Sequence, residues 1–305
     1  MLAVGLALIS ASLFGAMSVC LRIGLSRNPD VAIGTLATVG GALAVALVAA
    51  AVETPFRGVH AGGAWPFALA GLLQPGVGQL LVTMAIREAG ASRASVVFGV
   101  APLVSVTIAL VFLGEPASAP LLVGAVLVVA GGVELARERE RPAHLNRLGL
   151  LFAFAGATLF AIRDNLVRHL AVGKTAVPPA VAATAALLGG TVLIALWAGG
   201  AAGEAAGARP QDRAPSVLSG AREGIGRRWL RFLPAGLLFG ASYVSLFEAY
   251  YRGRVTVVAP LVAVESLVGV ALSALLLRES ELVGRRLLLG AALIVAGGAL
   301  IGAFR

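Results

Sequence analysis

Charged side chains are scarce in this sequence, at 13% of 305 residues, whereas apolar residues make up 59%. A soluble domain of this length carries about a quarter charged residues. The scarcity excludes an ordinary soluble fold, because a chain of this size cannot bury so much apolar side chain away from water. A lipid bilayer is itself apolar and accommodates such residues. The composition therefore predicts an integral membrane protein.

Cysteine and histidine are also rare. The single cysteine, Cys20, excludes an intramolecular disulfide framework. The three histidines, His60, His144 and His169, lie near predicted helix ends and form neither a metal-spaced cluster nor a Ser–His pair in the helix cores. We therefore expect no catalytic residue, no metal site and no cofactor, which makes an intramembrane enzyme a weak alternative.

Aromatic residues amount to 6%, and few of them stand between the basic residues that give the chain its net charge of +9. Nucleic-acid binding is therefore not expected. The basic residues lie between apolar runs, and most of them fall in loops after odd-numbered runs. By the positive-inside rule these loops are cytoplasmic and both termini lie outside. The expected partners are the lipid bilayer, a small-molecule substrate and a possible coupling proton.

Ten apolar runs are long enough to be transmembrane helices, since about 20 residues cross the hydrocarbon core. They predict an all-α membrane protein with a first unit over residues 1–136, a linker over 137–147 and a second unit over 148–305. A segment over 199–228, rich in Gly, Ala, Pro and Arg, is expected to be a mobile loop. The runs are Leu2–Leu21, Val31–Val52, Trp65–Ile86, Ala94–Leu113, Pro120–Leu135, Leu148–Leu170, Val177–Ala198, Trp229–Tyr251, Val255–Leu277 and Val283–Phe304.

The two units repeat each other in sequence. The stretch GAVLVVAGGVEL begins at Gly124, and GAALIVAGGALI begins at Gly290. Near the start of each unit, ASLFGA from Ala11 resembles ATLFAI from Ala157. Five helices therefore repeat as five helices, and an odd number forces the two repeats into opposite orientations. Inverted repeats are common in secondary transporters, with the substrate site near the midplane between them.

A longer stretch carries a family resemblance. The sequence AIREAGASRASVVFGVAPLVSVTIALVFLGE ends at Glu115 and precedes the helix that opens at Gly124. It resembles the EamA-type repeat of the drug/metabolite transporter superfamily, here in two tandem copies. The resemblance implies ten helices around a central cavity lined by the third, fourth, eighth and ninth helices plus the first and sixth. It also implies export of amino acids or other metabolites.

The sequence departs from that family in three respects. Ser266 occupies the position of Pro102, so the ninth helix is expected to bend differently, near Pro260. The basic loops place the termini outside, whereas many relatives have them inside. The related small multidrug resistance proteins carry a glutamate in their first helix. The corresponding positions here, near Phe14 and Phe160, are apolar, so proton coupling through such a glutamate is not supported. Glu115 and Glu279, at equivalent places, are expected to be structural.

Glu265 is the sharpest candidate for substrate binding, because it lies halfway along the ninth run. A charge at membrane depth costs about 2.5–3.5 kcal/mol on insertion scales, so it normally faces a cavity or a partner. The expected roles are proton coupling or binding of a substrate ammonium group. The structural alternative is an ion pair with Arg163.

The sixth run contributes two more candidate binding residues, Arg163 and Asp164. Arg163 is expected to bind a substrate carboxylate or to pair with Glu265. Successive helical residues point about 100° apart. Asp164 is therefore expected to point to a different place from Arg163, either in the cavity or at a helix interface.

The eighth run carries Ser245 and Glu248 on one helical face and an aromatic stripe that begins at Tyr243. These residues are candidates for walling the substrate cavity. Ordinary packing is the alternative for the stripe. Glu248 lies four residues before Arg252, a spacing at which the two side chains can form an ion pair on a helix.

In the third run, Gln74 and Gln79 bracket Pro75, which breaks the helical hydrogen-bond ladder. The break predicts either ligand binding by the glutamine amides or a packing kink.

The function expected from these patterns is secondary transport of an amino acid or similar zwitterion, as an exporter that works by alternating access. A cavity that holds both Arg163 and Glu265 would favour a zwitterion. A purely acidic cavity would favour the alternative, an exporter of lipophilic cations or a flippase for a lipid-linked precursor. A receptor or scaffold without transport would be favoured by a large extramembrane domain, which the sequence lacks.

Overall fold

The computed structural model describes residues 2–57, 61–112, 119–136, 146–172, 177–207, 225–277 and 284–303. Within these residues the chain is helical, with a 3₁₀ turn at Ala61–Gly63 and a π-helical turn at Leu72–Val77. Glu115, Glu279 and most of the predicted linker and loop lie outside them. The α-helices are α1 (Leu2–Arg27), α2 (Val31–Arg57), α3 (Trp65–Gly71), α4 (Gly78–Ala89), α5 (Ala91–Phe98), α6 (Ala101–Phe112), α7 (Ala119–Ala136), α8 (Arg147–Val172), α9 (Pro179–Gly207), α10 (Ile225–Leu230), α11 (Leu233–Arg252), α12 (Val255–Val262), α13 (Val264–Leu276) and α14 (Arg285–Ala303).

Six helical segments of the described chain are long and apolar enough to cross a membrane. They coincide with the first, second, third, sixth, seventh and ninth predicted runs. The other four runs are also largely helical in their described parts but do not meet the same criterion. The chain is therefore a multi-pass integral membrane protein. The six segments are Leu2–Arg27, Val31–Pro55, Trp65–Ala89, Arg147–Val172, Pro179–Gly200 and Val257–Leu276.

The third predicted run is broken where Pro75 interrupts it. Gln74 has φ −144° and ψ 113°, which is non-helical, and the π-helical turn joins α3 to α4. Proline has no N–H to donate and its ring clashes with the preceding turn, so the predicted break is confirmed. The ninth run is divided at Ala263, between α12 and α13, a few residues beyond the bend expected near Pro260.

The seventh run extends further than predicted. Its helix α9 continues to Gly207, into the segment expected to be a loop, and α10 covers Ile225–Leu230. The extension is rich in alanine, which has the highest helix propensity. Propensity therefore outweighs the glycines that favoured a loop at Gly199 and Gly200.

The two halves of the chain pack against each other through several helix pairs. Helix α1 packs on α11 and α13, α8 packs on α4, α5 and α6, and α2 packs on α9 and α11. Helix α3 packs on α9, and α7 lies along α14. A central space remains where α1, α8 and α11 converge with two junctions, the one between α5 and α6 and the one between α12 and α13.

Candidate functional site

The central space is a cavity between the two halves. Residues of seven helices line it: α1, α5, α6, α8, α11, α12 and α13. The volume open to the centres of water-sized molecules is about 20 Å³. By the same measure, a cavity needs about 10–15 Å³ to hold one water molecule. The cavity is therefore narrow in this conformation. The lining residues are Ser10, Phe14, Phe98, Ala101, Pro102, Phe160, Arg163, Asp164, Phe239, Ser242, Tyr243, Leu246, Ala259, Val262, Ala263 and Glu265.

Arg163 and Asp164 form an ion pair at the cavity wall. The Nε and Nη2 atoms of Arg163 both donate to Oδ1 of Asp164, at 2.9 and 2.7 Å. Both side chains are buried. The expectation that these neighbours address different places is therefore wrong. The 100° separation holds at Cβ, but the long Arg163 side chain reaches back to the nearest carboxylate, since an unpaired buried charge is costly.

Aromatic rings enclose the Arg163 guanidinium on two sides. Its Cζ lies 5.4 Å from the centroid of the Phe160 ring and 5.5 Å from that of Tyr243. Cations within about 6 Å of a ring centroid are attracted by the ring quadrupole. The rings and Asp164 together therefore hold Arg163 in place.

Glu265 lies in the first turn of α13, directly after the division of the ninth run at Ala263. Its side chain is 3% exposed and lines the cavity. Among the residues that the structure describes, none forms a hydrogen bond or an ion pair with its carboxyl group. The structural alternative, an ion pair with Arg163, is not what this structure contains, because Arg163 is bound to Asp164.

Phe14 and Phe160 occupy equivalent positions in the motifs ASLFGA and ATLFAI, and they meet each other in the cavity wall. Their ring centroids are 5.4 Å apart at an interplanar angle of 90°. Phe98 packs edge-on against Phe14, with centroids 6.1 Å apart. These phenylalanines were not among the site residues predicted from the sequence. The signal was available, since Phe14 and Phe160 recur in a repeated motif at mid-membrane depth.

Tyr243 links the cavity to the break in the third run. Its ring lines the cavity, while its hydroxyl donates a hydrogen bond of 2.8 Å to the Gln74 carbonyl. The amide groups of Gln74 and Gln79 are fully buried and have no hydrogen-bond partner among the described residues. Both glutamines lie outside this cavity lining. A ligand-binding role for them stays a prediction.

Ser245 and Glu248 also lie outside the cavity lining. The Ser245 hydroxyl donates to the Ala241 carbonyl of its own helix at 2.8 Å, and Glu248 pairs with Arg252 one turn further along α11. The predicted pairing of Glu248 with Arg252 is therefore confirmed. The structure thus brings Arg163, Asp164, Tyr243 and Glu265 together and leaves the other four candidate site residues elsewhere.

The chain has similarities to known proteins. Residues 1–134 match the EamA-like transporter family. Over these residues the chain is similar to that family. The match confirms the resemblance seen in the sequence.

A solved protein structure extends the likeness beyond the EamA-like half. The alignment covers 98% of this chain and 94% of the other chain, with a TM-score of 0.65 and 19% sequence identity. At this identity the likeness shows a shared fold and no more. A comparison with curated proteins found no match.

Proposed function

We propose that the protein is a secondary transporter of a small metabolite that carries an ammonium group. The observation that supports this most directly is Glu265, a buried carboxyl that faces an aromatic cavity and lacks a hydrogen-bond or ion-pair partner among the described residues. A carboxylate and aromatic ring faces both attract organic cations. Export remains part of the proposal and rests on the family resemblance.

We further propose that the chain consists of ten spans in two inverted five-helix repeats. The packing of α7 on α14 supports this arrangement. A Cβ on Gly131 would lie 2.6 Å from the Gly290 carbonyl oxygen, and a Cβ on Gly297 would lie 2.5 Å from that of Gly124. In the sequence repeat Gly124 corresponds to Gly290 and Gly131 to Gly297. Exchanging the halves thus reproduces the contact, as a two-fold axis between them requires.

A pair of equivalent arginines supports the same symmetry. Arg22, at the end of α1, donates through Nη1 to the carbonyls of Ile86 and Arg87 at 3.3 and 2.9 Å. Arg168, its counterpart in α8, donates to the carbonyl of Tyr250 at 2.8 Å. Each arginine therefore binds the carboxyl-terminal carbonyls of the third span in its own repeat. Cations are stabilised at that end of a helix.

Two junctions between helix ends are equivalent under this symmetry. A Cβ on Gly149, at the start of α8, would lie 2.8 Å from the backbone nitrogen of Ala89, at the end of α4. A Cβ on Gly253, after α11, would lie 2.9 Å from Cβ of Ala3, at the start of α1. In an inverted arrangement these junctions lie at opposite membrane faces. Opening one junction while the other stays closed would give alternating access.

The test is uptake and counterflow of radiolabelled ammonium compounds in proteoliposomes, with amino acids and simple amines as probes. Glu265→Gln removes the carboxylate charge at nearly constant volume, and we expect at least about a tenfold loss of uptake, since a charge-assisted hydrogen bond is strong. Glu248→Gln is the matched control, because it makes the same change outside the cavity lining. Folding of each variant is checked by its melting temperature in detergent.

Two outcomes would contradict the proposal. Folded wild-type protein that takes up neither an amino acid nor an amine would exclude ammonium-bearing substrates. Equal uptake by wild type and Glu265→Gln would assign Glu265 a structural role.

An exporter of lipophilic cations is the second candidate. The observation that favours it is the wall formed by Phe14, Phe98, Phe160 and Phe239, which offers aromatic surface to an apolar cation. Uptake that rises with the apolar size of the cation would support it. Flipping of a lipid-linked precursor draws no particular support from the narrow cavity.

A further inference from the structure

The cavity has an unequal charge balance, and this balance bears on the chemical class of the substrate. Arg163, Asp164 and Glu265 are the charged residues among the described lining. When all three are ionised, the cavity carries one net negative charge. The sequence-based expectation of a zwitterion counted Arg163 as free to bind a carboxylate. In the structure two guanidinium nitrogens of Arg163 are already bound to Asp164.

We propose that Asp164 determines the charge selectivity of the cavity. By occupying Arg163, it leaves Glu265 as the charge available to a substrate, so that the transported molecule is an organic monocation without a carboxylate. This inference rests on the proposed function and narrows its substrate class from ammonium-bearing metabolites in general to amines.

The geometry explains why Asp164 holds Arg163 so firmly. The two residues are adjacent in α8, so the pair needs no contribution from another helix. Phe160, one turn earlier in α8, and Tyr243 of α11 flank the guanidinium at 5.4 and 5.5 Å. Both charges are desolvated, and at low dielectric their attraction is strong. A substrate carboxylate would have to displace Asp164 from this enclosed position.

Glu265 reaches the same cavity from another helix. It stands at the start of α13, behind the division at Ala263, with 3% exposure. A second acidic group close to a neutralised pair repels substrate carboxylates and attracts ammonium groups. Specificity of this kind arises as much from the rejected partner as from the accepted one.

The experiment compares matched substrates that differ by one carboxylate. The probes are phenylalanine with phenethylamine and alanine with ethylamine, each tested for uptake into proteoliposomes. Wild type is expected to prefer the amine of each pair by at least about tenfold, the scale of one charge-assisted interaction. Asp164→Asn frees the Arg163 guanidinium, and the preference is expected to shift towards the amino acid by at least about tenfold.

A double variant keeps the test decisive if Asp164→Asn folds poorly because it leaves Arg163 unpaired. Arg163→Gln combined with Asp164→Asn removes both charges and leaves the charge of Glu265, so the amine preference of wild type is expected to persist. Glu248→Gln again serves as the control, since it removes a carboxylate that lies outside the cavity lining.

The outcomes separate this inference from the proposed function. Wild type that prefers amino acids, Asp164→Asn with an unchanged preference, or a double variant that loses its amine preference would each overturn the role of Asp164. Wild type that transports neither member of any pair would overturn the proposed function and the inference with it.

Discussion

Ser10 and Ser242 exchange two hydrogen bonds across the two halves of the molecule. The hydroxyl of Ser10 in α1 donates to the Ser242 carbonyl at 2.9 Å, and the hydroxyl of Ser242 in α11 donates to the Ser10 carbonyl at the same distance. Both side chains are buried and line the cavity. This reciprocal contact fixes α1 against α11 beside Phe14 and Phe239.

Replacing either serine is expected to destabilise that helix pair. Interhelical hydrogen bonds in membranes are worth about 0.6 kcal/mol on average and up to about 1.7 kcal/mol. Ser10→Ala and Ser242→Ala should each lower the free energy of unfolding by an amount in this range. The double variant should lose less than the sum, because the two hydroxyls also contact each other at 3.1 Å and each single variant already removes that contact. Unfolding in mixed micelles measures these values.

Ser12→Ala is the control for the serine pair, since Ser12 is exposed on α1 and donates to the Leu8 carbonyl of its own helix. A loss from Ser12→Ala as large as that from Ser10→Ala would mean that the reciprocal contact contributes nothing specific. Fully additive losses at Ser10 and Ser242 would argue against their coupling.

The glycine contacts between α7 and α14 predict equal sensitivity at equivalent positions. Gly131→Ala and Gly297→Ala each place a Cβ within 2.6 Å of a backbone oxygen, which forces the helices apart. Both variants should lower the melting temperature by similar amounts, because overpacking typically costs about 1–3 kcal/mol. Gly5→Ala, where nothing lies within 4 Å, should leave it unchanged or raise it slightly. Strong loss at one glycine and none at the other would contradict the two-fold relation.

Tyr243→Phe separates the ring of Tyr243 from its hydroxyl. The ring contact with Arg163 is retained, whereas the 2.8 Å hydrogen bond to the Gln74 carbonyl is lost. We expect substrate affinity to change less than about twofold and the maximal uptake rate to change severalfold, because the bond fastens α11 to the break in the third run. Binding by thermal shift and uptake kinetics measure the two effects. A change confined to affinity would assign the hydroxyl to substrate contact.

A coupling proton predicts that a pH gradient drives transport through Glu265. Proteoliposomes with an acidic interior should accumulate an ammonium probe by exchange for outgoing protons, and Glu265→Gln should abolish the dependence on the gradient. Counterflow, which needs no gradient, should then be compared in both proteins. Accumulation by wild type that ignores the gradient would exclude proton exchange as the driving force.

The topology also predicts a labelling pattern. With Cys20 replaced by alanine, Gly62→Cys, in the exposed turn after α2, should react with an impermeant thiol reagent added outside intact cells. Ser26→Cys, near the end of α1, should react only after the membrane is opened. The reverse pattern would place both termini in the cytoplasm.

Much of the architecture could be predicted from the sequence, because apolar runs of membrane length and a proline within one of them have direct structural consequences. The break at Pro75 and the pairing of Glu248 with Arg252 followed from residues that are neighbours in sequence. Helix faces that meet across the molecule give no such signal. The contact between Ser10 and Ser242 joins residues 232 positions apart, and neither serine stands out in its run.

The candidate site was predicted less well for two physical reasons. Glu265, Arg163 and Tyr243 were found because charged and aromatic residues at membrane depth are conspicuous. Asp164 was placed wrongly because an angular argument at Cβ ignores the reach of an arginine side chain, and Phe14 was overlooked because a phenylalanine in an apolar run looks like packing. Which polar groups neutralise each other depends on rotamers that the sequence does not reveal.

The adjacency of Arg163 and Asp164 has a consequence for biosynthesis. Because both residues belong to α8, the pair can close as soon as that helix forms, before later spans are synthesised. The pair then enters lipid with no net charge, which reduces the penalty of inserting two separate charges. Glu265 arrives later in the chain and has no such companion in α13. Its insertion depends on the polar cavity that the earlier helices have already begun to assemble.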